Sequence, residues 1–540
     1  MPTKRIDGWG FQGESVAPSP AMLAWLGDRL GQGESVPPLD PESLDPTEPE
    51  TVPDLGCEAT DDFLDRLAHA RGRGFSDLMR LRSGALQRLP DRVAYPADVD
   101  ELETLLSRAA ASDLRVIPWG GGTSVTGGVN ALPGSRPIVT VDLQRLSGLQ
   151  ALDPVSGLAT FGAGTPGPRV EADLAPHGLT LGHFPQSWEL STVGGWVVTR
   201  SAGQESLGNG RIENLVAGLD LVAPSGRLTL PTLPASAAGP DLRHLVLGSE
   251  GRFGVVTQAV MRVRPKPAEM RVVAVLLPDW DRGVEAARRL TQNEVPLGLL
   301  RLSDGPETEV AMSIGLAHSP FASVVRGWLK LRGIGEGSCL MLLGASGTWG
   351  EVDATLEEAR TVLRPHGAAW LGDGPGRKWL ADRFRHPYLR DSLFEAGYGT
   401  DTFETAVPWS KVDTLYTKVR ESLRTATAEG EREVPVLCHL SHPYRDGVSL
   451  YFTFFFRCPA DPEVAIARWA DLKRRATDAV ADAGGTLSHH HGIGSWHAPW
   501  LSREIGDTGH RVLAATASTL DPRGILNPHV LLDPEDRLEL

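Results

Sequence analysis

The stretch Leu114-Arg115-Val116-Ile117-Pro118-Trp119-Gly120-Gly121-Gly122-Thr123-Ser124 decides how the rest of the chain is read. Its apolar first half predicts a strand over residues 114–118, and three glycines follow at once. Successive glycines let the backbone approach a diphosphate closely and aim several N–H groups at it, while Thr123 and Ser124 add hydroxyl donors. The run is not the G-x-G-x-x-G fingerprint, because the sixth position counted from Gly120 is Val125. Nor is it a P-loop, since no Gly-Lys-Ser/Thr follows. By itself it is a phosphate cradle or an ordinary glycine turn.

Around the loop the pattern alternates. Residues 98–111 predict an amphipathic helix, 137–143 a strand, and 194–202 a turn with a helix start. A hairpin is expected over 219–230 with Pro224-Ser225-Gly226 at its turn, then a helix over 241–247 and a strand over 254–263. Upstream, the proline-rich acidic segment 34–56 predicts an extended wrap. Helices over 61–69 and 76–89 follow it, the second opened by a Ser76 cap and stopped at Pro90. Beyond the Arg264-Pro265-Lys266-Pro267 boundary, strands (270–277, 449–456) and helices (282–292, 462–483) mix without a repeating βαβ order. That mixture predicts an α+β cap on an antiparallel sheet. The expected division is an N-terminal extended and helical segment (1–89), a loop-bearing domain (90–268), a cap (269–500) and a returning C-terminal segment (501–540).

Five hundred and forty residues exceed one hydrophobic core, in line with that division. A formal net charge of -15 speaks against a non-specific nucleic-acid binder, so an anionic ligand needs a local basic pocket. The best candidate is Arg390 with Arg377, Lys378, Arg383 and Arg385. The four scattered cysteines predict free thiols and a reducing compartment. No run has the length of a membrane span and the start lacks a signal core, so a cytoplasmic protein is expected. Peripheral membrane contact and a homodimer stay open.

Two further segments change the reading of the loop: residues 185–202 (PQSWELSTVGGWVVTRSA) and 248–256 (GSEGRFGVV). With residues 118–124 they resemble the FAD-binding oxidases of the vanillyl-alcohol oxidase and D-lactate dehydrogenase family, at that family's spacing. The resemblance implies a two-subdomain FAD-binding domain of the PCMH type. In it the first loop cradles the diphosphate while the others contact the ribityl chain and the isoalloxazine. The implied contacts are Gln186, Ser187, Ser191, Thr192, Gly195, Thr199, Arg200, Ser201 and Ala202 in the second segment. In the third they are Glu250, Gly251, Gly254, Val255 and Val256. Covalently flavinylated members carry a histidine in or beside the first loop, and PWGGGTSVTGGV has none, so non-covalent FAD is expected.

The second constellation is Ser488-His489-His490-His491-Gly492-Ile493-Gly494. Neighbouring side chains on a strand point to opposite faces, so three successive histidines are not expected to converge on a metal. Proton transfer and anion stabilisation suit imidazole near neutral pH; a surface cluster is the bland alternative. The triplet resembles that of the alkyldihydroxyacetonephosphate synthases. The likeness extends through Ile6-Asp7-Gly8-Trp9-Gly10, residues 78–93, Arg301-Leu302-Ser303-Asp304, Tyr388-Leu389-Arg390-Asp391, Phe403-Glu404-Thr405, Tyr451-Phe452 and 520–532.

This resemblance implies exchange of the acyl group of acyl-dihydroxyacetone phosphate for a fatty alcohol, with the flavin as nucleophile toward C1 and no net oxidation. Carried over by position, Arg390 binds the substrate phosphate, Tyr451 transfers a proton, His489, His490 and His491 line the site, and Arg301 supports the triplet from behind. Tyr451 alternates with Phe452, Phe454 and Phe456, which places it on the opposite strand face from them. The chain departs from the synthases at His439 (arginine there), Ser495 (lysine) and Gln186 (aspartate). The rival expectation is an FAD-linked dehydrogenase or oxidase of a 2-hydroxy acid, with the histidines taking the hydroxyl proton or binding the carboxylate. A third, a flavoprotein without catalysis, disagrees with the presence of both the triplet and Arg390.

Overall fold

A computed structural model describes residues 3–316 and 334–532. The strand before the glycine loop, Arg115–Trp119, lies parallel to Ile138–Asp142, which lies parallel to Arg92–Ala94. Ala59–Thr60 adds an antiparallel edge. Every residue of Ile138–Asp142 is buried, as a parallel strand covered on both faces must be. The covering helix is Val99–Ala111, whose Asp98 cap accepts from Glu101 N and whose Leu102, Leu105, Leu106 and Ala109 form one buried stripe.

A second sheet of five antiparallel strands runs Leu149–Asp153, Leu158–Gly162, Val255–Arg262, Val216–Ala223, Gly226–Leu230. It shares one apolar core with the first sheet, through Val139, Val141, Phe161, Leu221 and Val255 among others. The third sheet has seven strands, all antiparallel, in the order Ala369–Gly372, Glu269–Leu277, Cys339–Gly347, Leu299–Ser303, Val436–Pro443, Gly447–Arg457, Tyr398–Pro408. Helices Trp280–Gln292, Trp349–Leu363, Val412–Arg424 and Pro462–Ala483 bury its apolar face, where Phe452, Phe454 and Phe456 sit. The α+β class and the antiparallel cap sheet are as expected.

Three details correct the local expectations. The helix expected over 76–89 is Phe75–Ser83: Gly74 heads it, with its N–H taken by the Asp77 carboxylate, and Ser76 is buried within the first turn. It ends at Gly84, whose φ of 70° is left-handed, six residues short of Pro90. The helix expected over 241–247 shrinks to Arg243–Val246.

The 34–56 segment does wrap. Val36 N donates to Phe394 O (2.9 Å) beside the cap sheet, and Glu50 N donates to Asp91 Oδ1 (2.8 Å) beside the first sheet. At the other end the chain returns to the glycine-loop strand, where Val116 N donates to Ile525 O and Asn527 N to Val116 O, both 2.8 Å. All four cysteines are free. Among the described residues no helix is long and apolar enough to cross a membrane. The C-terminal Arg537-Leu538-Glu539-Leu540 lies outside the described residues.

Candidate active site

The glycine loop is held by close packing on the second motif. A Cβ on Gly120 would lie 2.4 Å from Thr192 Oγ1, and one on Gly121 would lie 2.1 Å from Leu190 O. Gly122 is left-handed (φ 68°) and its Cβ would meet the Trp119 ring at 2.4 Å. The amides of Gly121, Gly122, Thr123 and Ser124 donate to no acceptor among the described residues. Four free amides in a glycine cradle fit a diphosphate. Ser124 Oγ is occupied on its acceptor side by Gly128 N (2.9 Å) and Thr126 N (3.4 Å), which leaves its hydrogen to donate. Thr192 caps the helix Val193–Thr199 and so presents Gly194 and Gly195 at a helix start, while Thr199 Oγ1 donates back to Gly195 O (2.8 Å).

The other predicted flavin contacts divide. Ser191 Oγ accepts from Trp196 Nε1 (2.7 Å) and donates to Ser187 O (2.9 Å), so it braces the turn. Arg200 is the left-handed cap of the helix (φ 54°) and reaches Glu213 at 3.5 Å. Ser201 Oγ meets His183 Nε2 at 3.1 Å, and Ala202 is buried next to it. Gln186 is turned toward the cap, donating to Arg383 O (2.5 Å) and accepting from Gln204 (2.9 Å). Val255 and Val256 pack into the sheet core, so only their backbone is left for a ligand. Gly251 and Gly254 take positive φ against Pro118 and Leu221.

Glu250 does something the sequence did not announce. Its buried carboxylate accepts from Ile493 N (2.7 Å) and Gly494 N (2.8 Å), so the flavin half grips the loop that carries the histidines. Burial pushes this carboxyl up to about 7 against the pull of those two amides. Thr126 adds a second grip, its carbonyl accepting from Ser495 N (3.1 Å) and Trp496 N (3.2 Å). Asn527 Nδ2 then ties Gly128 O (2.9 Å) to Glu250 O (2.7 Å). Glycine loop, histidine loop and C-terminal return meet there.

The triplet lies in a bend, not on a strand, so the alternation expected of it does not apply. His489 Nδ1 and His490 Nδ1 face each other at 3.1 Å, and His491 turns to the other side, its ring edge-on to Tyr451 at 5.8 Å. Beneath the first two sits Glu404, 1% exposed, with Oε2 2.8 Å from His490 Nδ1. Burial alone raises the Glu404 carboxyl, but the imidazoles of His490, His489 and His442 outweigh it and hold the group well below its ordinary range. Burial keeps His489 and His491 neutral, pushing each well below the ordinary histidine range.

Tyr451 stands on the sheet face opposite the three phenylalanines, as alternation required. It stacks on His439 at 4.8 Å, and burial pushes its phenol up to about 12. Arg301 lies elsewhere than expected. It reaches Glu307 and His439 Nδ1 (2.5 and 3.0 Å) and so backs the His439–Tyr451 stack, not the triplet; Glu404 takes that second role.

Arg390, on the helix Tyr388–Glu395, donates from Nη1 to Arg73 O (2.5 Å). Its Nε and Nη2 are shut from solvent and have no hydrogen-bond partner among the described residues. Two such guanidinium nitrogens, with three N–H donors between them, suit a phosphate. The basic cluster expected around it is dispersed: Arg377 pairs with Asp373 (2.7 Å), Arg383 with Glu205 (2.8 Å), and Arg385 lies over Tyr388. The positive company of Arg390 is Arg73, whose burial together with Arg390 brings it down to about 10.

The segment Phe403-Glu404-Thr405 entered the resemblance without a role for its carboxylate, His442 entered no reading at all, and nothing local aimed either at the triplet. His183 and Tyr444 were likewise unannounced; Tyr444 OH meets His489 Nε2 at 2.6 Å.

Residues 90–230 match the family model of the FAD binding domain, and residues 266–531 that of the C-terminal domain of FAD linked oxidases. An alkyldihydroxyacetonephosphate synthase of Dictyostelium discoideum is 31% identical over 484 residues, covering 88% of this chain and 79% of that one. One of Trypanosoma brucei brucei is 33% identical over 484 residues, covering 87% and 78%. A solved alkyldihydroxyacetonephosphate synthase superposes with a TM-score of 0.80 at 26% identity, covering 97% of this chain and 98% of that one.

Proposed function

Because the chain belongs to the alkyldihydroxyacetonephosphate synthase family and carries its FAD-binding architecture, we propose that it exchanges the acyl group of acyl-dihydroxyacetone phosphate for a long-chain alcohol. The product is an ether-lipid precursor, and no electrons are gained or lost. FAD, held non-covalently on the 118–124 loop, supplies a nucleophilic ring nitrogen for the exchange at C1.

The observation that carries this reading is the pairing of an orphaned cation with a buried proton relay. Arg390 offers Nε and Nη2 to the substrate phosphate, within electrostatic reach of Tyr451. Fixing the phosphate fixes C1 relative to Tyr451 and His491. Neutral His491 accepts a proton from C1 or from the incoming alcohol, and Tyr451, protonated at neutral pH, donates to the departing carboxylate oxygen. Arg301 and His439 hold the Tyr451 ring in place from behind.

The test is incorporation of labelled hexadecanol into acyl-dihydroxyacetone phosphate without an electron acceptor, with the flavin spectrum followed. Incorporation with the flavin still oxidised at the end supports the reading. No incorporation, with rapid bleaching of the flavin by 2-hydroxy acids, would establish an oxidoreductase in its place.

A further inference from the structure

The four-residue cluster behind the triplet has a geometry that proton transfer does not require. One nitrogen each of His442, His489 and His490 and a carboxylate oxygen of Glu404 lie within 4.8 Å of one another. From the Glu404 oxygens the separations are 2.8 Å to His490 Nδ1, 3.6 Å to His489 Nδ1 and 3.8 Å to His442 Nε2. Four ligands about 2.1 Å from a tetrahedral zinc ion would be about 3.4 Å apart.

The outward-facing atoms are engaged as metal ligands' usually are. His489 Nε2 meets Tyr444 OH (2.6 Å) and His442 Nδ1 meets Ser206 Oγ (2.9 Å), while Glu404 Oε1, which itself faces His489 and His442, is steadied by accepting from Ser449 Oγ (2.5 Å). Those bonds leave His489 Nδ1 and His442 Nε2 to point inward. There His489 and His490 bring two Nδ1 atoms together at 3.1 Å, an arrangement that needs a proton or a cation between two lone pairs. Glu404 Oε2, on a residue 1% exposed, has its close approach to His490 Nδ1 (2.8 Å), so the carboxylate faces the same point as the imidazole nitrogens. The cluster is reachable: His489, His490 and Tyr444 border a cavity of about 450 Å³.

We propose that Glu404, His442, His489 and His490 bind one divalent first-row transition-metal ion of the zinc class. Three imidazoles and one carboxylate select zinc, cobalt or nickel over magnesium and calcium, which demand oxygen-rich shells. The ion joins two strands of the cap sheet to the histidine loop and leaves His491 free, so the site stands whether or not the exchange reaction is the protein's own.

The experiment titrates chelator-stripped, FAD-loaded protein with Co2+ and then Zn2+. One equivalent of Co2+ producing the visible absorption of a four-coordinate site, displaced by one equivalent of Zn2+, is the expected result. Glu404→Gln and His442→Ala each lower zinc affinity at least tenfold, while His491→Ala does not. Absence of stoichiometric cobalt absorption in the unmutated protein overturns the proposal, and that reading needs no variant to fold. Equal zinc affinity in all three folded variants overturns it too.

Discussion

In the proposed exchange a phenol, an imidazole and a guanidinium carry the chemistry, and each is set by what lies behind it. Tyr451→Phe removes the only transferable proton of that side chain and keeps its stack on His439. Alkyl exchange should fall at least about a hundredfold with flavin content unchanged, read from turnover and the visible spectrum of one preparation. His69 supports the glycine loop from its strand, bonding Asp142 through Nε2 (3.0 Å) and packing on Trp119 at 5.1 Å. Burial lowers its pKa, but the bonds to Asp142 and Asp65 prevail and raise it to about 9. A raised histidine pKa stabilises the fold fully below about 6.5 and loses that stabilisation as pH rises through about 9. The destabilisation caused by His69→Gln should therefore be about 3 kcal/mol larger at pH 6 than at pH 10 in denaturant unfolding. A difference constant with pH would remove the ion pair from the account.

The glycine loop shows what an element contributes beyond its residues. Its strand and helix neighbours are legible from apolar spacing, because a buried parallel strand and an amphipathic helix each leave a periodic trace. The reason for three glycines is not local, since Gly121 yields to the carbonyl of Leu190, about seventy residues away in the chain. Gly121→Ala places a methyl group 2.1 Å from that oxygen, so the loop must lift from the 190–192 turn. The variant should purify largely without flavin, with a low ratio of visible to ultraviolet absorbance, yet keep its far-ultraviolet circular dichroism. Full flavin occupancy would mean the cradle is not set by this contact. The helix expected to run to Pro90 illustrates the reverse case. Gly84 and the Gly74–Asp77 cap stop and start it, and a breaker inside an apolar pattern is easily read through.

At the scale of the whole molecule, three chain segments distant in sequence converge on the site, and its stability depends on their junctions. Asp391, 1% exposed, accepts from Trp9 N (2.8 Å) and faces Arg5 (3.4 Å) and Arg82 (3.8 Å), so it locks the N-terminal strap to the helix that presents Arg390. Asp391→Ala removes one carboxylate from two largely buried arginines, leaving Asp7 to face both, and should cost about 3 kcal/mol in thermal unfolding, with a raised KM for the phosphate-bearing substrate. An unchanged KM at lowered stability would separate the strap from the phosphate site. The amino-acid sequence by itself determined the α+β class and the Tyr451-against-phenylalanine alternation, which rest on periodicity, and the free thiols, which rest on the scatter of the cysteines; the glycine loop was tied to a flavin only by the family resemblance. Only the tertiary structure parted the basic residues around Arg390, sending Arg377 and Arg383 to separate ion pairs and Arg385 over Tyr388, moved Arg301 behind His439, and set Glu404 beneath the triplet. It also gave Glu250 its grip on the histidine loop. Apart from the local contacts of Arg377 with Asp373 and of Arg385 with Tyr388, those relations join groups tens to hundreds of residues apart, and burial, which sets their charge, exists only once the sheets have packed.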